Sequence, residues 1–412
     1  ALGMPLGIMG GNTTYAFADA SKDYIKIEGQ LLQPEENKYK LQMTGELWET
    51  LYIDKVDLIA VDHPADIDIF VDESFSPPPF PDLQLFSVIE RKVPVTAVNQ
   101  NGTDVLQYIV EKDDSYLADF RRGRYQGVTE LHDLILDLGS GIPDENLYLF
   151  LNGWIFPTDA SINKAISQSS TIEVIPPYIQ VVDKNGNWIT VRDHIGFPMG
   201  KDKTMVVDLS HAFKSSSRMI RIRTNQEIYW DHIFFGASEA DSPVRLHKLS
   251  MSEADLHYRG FSRLYRKGGR YGPHWFDYDD VTKGQVWRDL TGYYTRYGSV
   301  KPLLAATDNI YIIANAGDEI TLSFDIGKEK LPDGWKRDFL IYSVGWVKDG
   351  DLNTALGQTV EPLPFHGMTR YPYGPEESYP MKEKLIDYHK TYNTREVTTR
   401  AFQRALSNTK SE

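Results

Sequence analysis

Between Thr204 and Glu239 the chain reads TMVVDLSHAFKSSSRMIRIRTNQEIYWDHIFFGASE, the stretch that most restricts what it can fold into. Met205 to Leu209 and Met219 to Thr224 are β-rich runs joined by a Ser-rich link, and an aromatic run from Glu227 to Phe235 follows. In MIRIRT, Ile220 and Ile222 alternate with Arg221 and Arg223, the two-residue period of a strand with one dry and one wet face. Strict alternation in the aromatic run places Ile228, Trp230, His232 and Phe234 on one face, and Tyr229, Asp231, Ile233 and Phe235 on the other. Large rings on both faces predict a strand covered on both sides.

The unit recurs. LILDLGSGIPDENLYLFLNGWIFP, from Leu134 to Pro157, echoes VVDLSHAFKSSSRMIRIRTNQEIYWDHIFF: strand, Asp-Leu-small, polar link, strand, Asn-centred turn, aromatic strand. This echo favours a strand over a helix for VTELHDLILDL, whose apolar spacing fits both. A weaker third copy lies in KYKLQMTGELWETLYIDKVDLIAV. Such recurrence suits antiparallel sandwiches. The expected fold class is therefore mainly β, with several antiparallel β-sandwich modules of jelly-roll or galactose-binding-like type, long wrapping loops and a short C-terminal helix after Met381.

Consecutive prolines in SFSPPPFP, Ser74 to Pro81, mark the sharpest break, because proline cannot donate a ladder hydrogen bond. The division that follows has a β domain over residues 1–90, a central sandwich over 91–240, and a C-terminal β domain with extended loops over 241–412. The opening of the last segment, RLHKLSMSEADLHYRGFSRLYRKGGRYGPHWFDYDD, has weak periodicity and reads as an extended connection wrapping the earlier domains.

The 44 Lys and Arg stand against 58 Asp and Glu, and the net charge of -14 disfavours a nucleic-acid or anionic-membrane binder. No apolar run is long enough for a membrane-spanning helix. Absence of cysteine removes disulfides, thiolate metal sites and thiol nucleophiles together. The Ala-first start reads as a processed chain or fragment.

Candidate chemistry is sparse. Asp349, Asp351 and Asn353 alternate around Gly350 as the first oxygen ligands of a calcium loop would, although the twelfth position is Val360, so a solvated Asx turn explains the pattern equally well. Otherwise no cofactor is expected. The ten His residues are scattered singly, and no GxSxG elbow or HExxH pair occurs, so the chain reads as a non-enzyme. Trp154 and Trp188 are candidate glycan-stacking rings, whereas Trp230, inside an apolar strand, reads as core. Arg259, Arg263 and Arg270, among the tyrosines of YRGFSRLYRKGGRYGPHW, could hold an acidic polysaccharide or the acidic surface of a neighbouring subunit.

GWVKDGDLNTALGQTVEPLPFHGMTRYPY, FLNGWIFPTDASIN, RTNQEIYWDHIF and LWETLYIDKVDLIAVDHP together resemble the C-terminal region of bacterial FG-GAP (integrin-alpha-like propeller) repeat proteins related to cartilage acidic protein. The resemblance spans roughly residues 25 to 395. It implies a secreted or cell-surface protein with sandwich modules and no catalytic site to carry over. The Asp-rich calcium loops of the propeller repeats are missing here. Two functions follow as expectations. The first is a structural or adhesion protein acting through protein contacts, with copies of itself or with partners, and able to self-assemble into a filament or layer. The second is a carbohydrate-binding accessory module of a larger surface protein.

Overall fold

The computed structural model describes residues 7–8, 18–76, 80, 82–200, 202–238, 242–267, 272–400 and 402–403. The chain is mainly β, with two α-helices among the described residues, Ala160–Ser167 and Glu383–Tyr392. All but the two-residue Gly7–Ile8 strand pair antiparallel within the sheets.

Two long strands form the spine. Glu49–Pro64 and Trp335–Asp349 pair along their whole lengths, and Ser21–Ile27 extends the sheet from the second of them. Across from this sheet lies a four-stranded one, ordered Gly298–Ser299, Met251–Tyr258, Asp318–Asp325 and Lys38–Thr44. Ile25, Leu58, Phe339 and Ile341 from one sheet meet Leu256, Ile320, Leu322 and Phe324 from the other in a common core. Leu385 and Tyr388 of the helix Glu383–Tyr392 join that core, which is why a polar tail carries one apolar stripe.

This pairing corrects the expected division at residues 90 and 241. Strands from 18–70 and from 245–349 share both sheets, so the first and third segments build one sandwich, with the central segment inserted between them. The stretch after residue 241 is also not an extended wrap: it supplies the strands Arg245–Lys248, Met251–Tyr258, Phe261–Arg266 and His274–Thr282. Only Ala254 and Leu256 of MSEADLHY are buried, so the alternation exists but is muted by polar residues on the wet face. Phe261–Arg266 and His274–Thr282 form a two-stranded hairpin that buries only Phe261 and Ser262, so it shows no apolar period.

The central sandwich packs a five-stranded sheet, ordered Trp188–Arg192, Tyr178–Val182, Met219–Gln226, Val128–Asp137 and Thr96–Asn99, against the three strands Lys203–Asp208, Tyr148–Ile155 and Ile228–Gly236. Val128–Asp137 is the strand that the echo favours. The echo has a structural meaning. Val128–Asp137 leads from the larger sheet into Tyr148–Ile155 of the smaller, whereas Lys203–Asp208 leads from the smaller into Met219–Gln226 of the larger. At both corners the Asp accepts the amide two residues on, Asp137 from Gly139 at 2.9 Å and Asp208 from Ser210 at 2.7 Å.

Ile228–Gly236 is covered on both sides as expected, but its parity differs. A bulge between Trp230 and His232 inserts one extra residue, so Ile228 and Trp230 share the inner core with Ile233 and Phe235. Phe234 turns to the outer side, stacked on Phe150 at 4.6 Å between ring centroids, where both meet Phe70 and Phe86 of a separate two-stranded ribbon, Asp68–Phe70 with Phe86–Val88. This aromatic contact seats the ribbon on the central sandwich, and Lys26 of the first sandwich reaches over the Phe70 ring at 4.9 Å.

Candidate functional site

A cleft of about 220 Å³ opens at that junction. Its walls come from the edge strand Ser21–Ile27, from the connection around Val71–Phe75, and from Tyr148, Val206 and Asp208 of the central sandwich. Both flanking strands, Ser21–Ile27 and Lys203–Asp208, are sheet edges, and the connection runs between them, its Glu73 amide donating to the Thr204 carbonyl at 3.0 Å and its acidic side chains making the other bonds. Glu73 accepts the Lys26 amide at 2.8 Å and the Thr204 amide at 2.7 Å, clamping one edge to the other. Asp72 accepts the amides of Ser74 at 3.0 Å and Val206 at 3.1 Å, and the Ser74 hydroxyl at 3.0 Å.

Acids and rings both line the opening. Asp23, Asp72, Asp82 and Asp208 line it together with Tyr24, Phe75, Phe86 and Tyr148. Burial pushes the Asp23 carboxyl up to about 7 against the pull of the Lys203 ammonium, and burial also raises Asp72 against its three hydrogen bonds. Tyr24 is held by stacking on Tyr342 at 4.7 Å, and Tyr148 by edge contact with Phe86 at 5.1 Å. Burial raises both phenols, so they stay neutral at physiological pH. Fixed carboxylate acceptors beside rigid rings suit a ligand rich in hydroxyls, and the negative lining disfavours anions.

The expected site residues do not gather at this cleft. Trp154 is buried at 3% exposure against Phe156, Tyr229 and His274, so its ring cannot stack on a sugar. Trp188 is half-buried on an edge strand with the Arg221 guanidinium 4.7 Å over its ring. Arg259 is not free for an acidic partner. Its side chain is 9% exposed, pairs with Glu46 at 3.4 Å and Glu319 at 3.2 Å, and lies 4.1 Å over the Tyr278 ring. Arg263 is exposed on the hairpin beside Tyr265 and 3.4 Å from Asp280. Arg270 lies outside the described residues.

Asp349, Asp351 and Asn353 do come together, around the start of the helix Ala160–Ser167. Both Asp351 oxygens accept from the Ser161 hydroxyl, at 2.7 and 2.8 Å, and the Asn353 amide donates to the same hydroxyl at 2.7 Å. Asp349 accepts the Ala160 amide at 3.3 Å, and Asp159 caps the helix by accepting the Ile162 amide at 2.7 Å. The Asp159 cap was the local signal for this helix, which the search for β alternation passed over. Among the described residues no three His, Asp or Glu side chains converge on a metal position.

Glu49 stands directly opposite Asp349 in the spine. Burial, and then the charge of Asp349, push its carboxyl up to about 8. A folded value above the unfolded one means that its contribution to stability is complete at acid pH and is lost as pH rises through about 8. Glu49→Gln removes that loss. Urea unfolding should show the variant gaining roughly 2 kcal/mol on the wild type between about pH 5 and about pH 8.5, a figure reduced for the solvent that reaches a half-buried side chain. Parallel stability curves for the two proteins would reject this assignment.

The cleft escaped the sequence reading because its residues are drawn from positions 21–24, 71–86, 148 and 206–208. No local pattern links them. Set against protein-family models, curated proteins and solved structures, the chain matches none.

Proposed function

We propose that this chain is a non-enzymatic, secreted or cell-surface recognition protein whose junction cleft takes an uncharged, hydroxyl-rich glycan. One observation carries the reading: acids held by backbone amides and stacked tyrosines line the same opening between two sandwiches. Carboxylates accept hydrogen bonds from sugar hydroxyls, and aromatic faces take the C–H side of the ring. The resemblance to FG-GAP repeat proteins supports the extracellular setting and the absence of catalysis.

A panel of neutral and acidic oligosaccharides titrated by calorimetry tests the proposal. Saturable binding of a neutral glycan is expected, with the acidic ones excluded. Tyr148→Ala should weaken that binding about tenfold through loss of one ring contact. Trp188→Ala, on the edge of the five-stranded sheet and outside the cleft lining, should leave it unchanged. No saturable binding, or equal loss in both variants, would defeat the cleft assignment.

The structural reading also has an observation in its favour. Among the described residues the hairpin Phe261–Arg266 and His274–Thr282 pairs with no third strand, and it exposes Leu264 and Trp275, at 42% and 39%. A hairpin with open edges and exposed apolar side chains can pair with another copy or a partner. Light scattering should then show particles larger than the 47.0 kDa chain, reduced to monomer by the double change Leu264→Lys and Trp275→Lys. A monomer at all concentrations would speak against it.

A further inference from the structure

The two strands of the hairpin carry opposite charge. The first, FSRLYR, has Arg263 and Arg266 and no acid; the second, HWFDYDDVT, has Asp277, Asp279 and Asp280 and neither Lys nor Arg. Register sets Arg263 opposite Asp277, and Arg263 also reaches Asp280 at 3.4 Å, with side chains still 64% and 47% exposed. The same register places Leu264, Arg266, His274 and Phe276 on one face, and Arg263, Tyr265, Trp275 and Asp277 on the other. The first face rests on the central sandwich, with His274 at 5.4 Å from the Phe156 ring and the Arg266 guanidinium 5.7 Å over it. That contact uses a face and leaves the edges to the sides. The Lys267 amide donates to the Pro273 carbonyl at 2.9 Å, so the alternation of an antiparallel ladder turns the backbone of Leu264 and Arg266, and of His274 and Phe276, outward. Further along, Glu46 takes the Ser262 amide at 2.8 Å, and a bulge separates Asp277 from Val281. The regular, outward-facing segments are therefore 263–266 and 274–277.

We propose that copies of this chain join head to tail through these two edges, segment 263–266 of one copy adding antiparallel to segment 274–277 of the next. This rests on the hairpin-pairing reading above and adds to it the partner, a second copy, and the polarity of the contact. Charge decides the polarity. A two-fold arrangement would set the basic strand against itself or the acidic strand against itself, and like charges directly opposite destabilise a ladder. Head-to-tail addition instead repeats between copies the basic-against-acidic match that the hairpin already makes within itself. A net charge of -14 opposes contact between copies in general, so a contact that forms has to match charge locally. Every added copy again leaves one basic and one acidic edge, and growth does not close.

Light scattering of the full chain, of its charge variants and of their mixtures tests this. The wild type is expected to grow with concentration beyond a dimer of the 47.0 kDa chain, without a fixed size. Arg263→Glu with Arg266→Glu makes both edges acidic, Asp277→Lys with Asp279→Lys makes both basic, and each variant alone should stay monomeric. An equimolar mixture of the two should assemble again, and so should the chain carrying all of these changes, where the match returns with its signs exchanged. Should a reversal weaken its own hairpin, the fully exchanged chain keeps the internal match and still decides: assembly supports the proposal, a monomer overturns it. A closed dimer of fixed mass, or reversal variants that assemble as the wild type does, would also overturn it. If those assemblies still dissolved on Leu264→Lys with Trp275→Lys, the hairpin reading would stand and only the head-to-tail polarity would fall. A wild-type monomer at every concentration would sink both.

Discussion

Arg337→Met is expected to lower the unfolding free energy by about 3–5 kcal/mol, because it leaves a buried carboxylate without its main partner. Arg337 and Asp62 face each other in the spine, and the guanidinium holds both oxygens, Nε to Oδ1 at 2.6 Å and Nη2 to Oδ2 at 2.8 Å. Asp62 is 1% exposed, and among the described residues the other basic side chain within 4 Å of it is the His247 imidazole, at 3.4 Å. The loss therefore comes from the stranded charge more than from the bond itself. Replacing both partners, Asp62→Leu with Arg337→Met, should recover most of the stability, since two apolar groups need no hydration. Urea unfolding of the single and double variants decides it; a double variant no better than the sum of the singles would show that the pair is worth more than its desolvation.

Trp346→Ala should cost a similar amount, about 3–5 kcal/mol, by opening a cavity in the second core of the first sandwich. Trp346 is fully buried, edge-on to Tyr311 at 6.0 Å and 4.7 Å from the His366 ring, and its Nε1 donates to the Ala18 carbonyl at 2.9 Å. That last bond ties residues preceding the edge strand Ser21–Ile27 to the spine. Trp346→Phe keeps much of the ring volume and should lose less than half as much, leaving Ala18 without its donor. If alanine were tolerated with little change in midpoint, this second core would have to be plastic, contrary to its packing against Tyr52, Tyr294 and Tyr311.

Both predictions rest on long-range pairing, and this is where sequence and structure part. Ile220 and Ile222 are buried in the central core, while Arg221 and Arg223 lie on the open face of the sheet and meet Asp133, as their alternation requires. The two Asp-Leu corners repeat in structure as they do in sequence. Trp230 is core, as its apolar strand indicated. The parity of Ile228–Gly236 was not legible, because a bulge at Asp231 depends on the partner strand and leaves no mark in composition. Arg259 read as a surface cation and is an internal one, because Glu46 and Glu319 reach it from distant positions.

The sequence by itself determined the strands whose alternation is clean and which of their faces are dry, as at Met219–Gln226, since those follow from side-chain volume, branching and polarity at a two-residue period. It determined the mainly β class for the same reason. Tertiary structure alone decided that Glu49–Pro64 pairs with Trp335–Asp349, that the first and last segments form one sandwich around an inserted one, and that Asp23, Asp72 and Tyr148 meet at its junction. Strand pairing is made by backbone amides and carbonyls that every residue but proline carries in full, so the local pattern marks a strand without naming its partner.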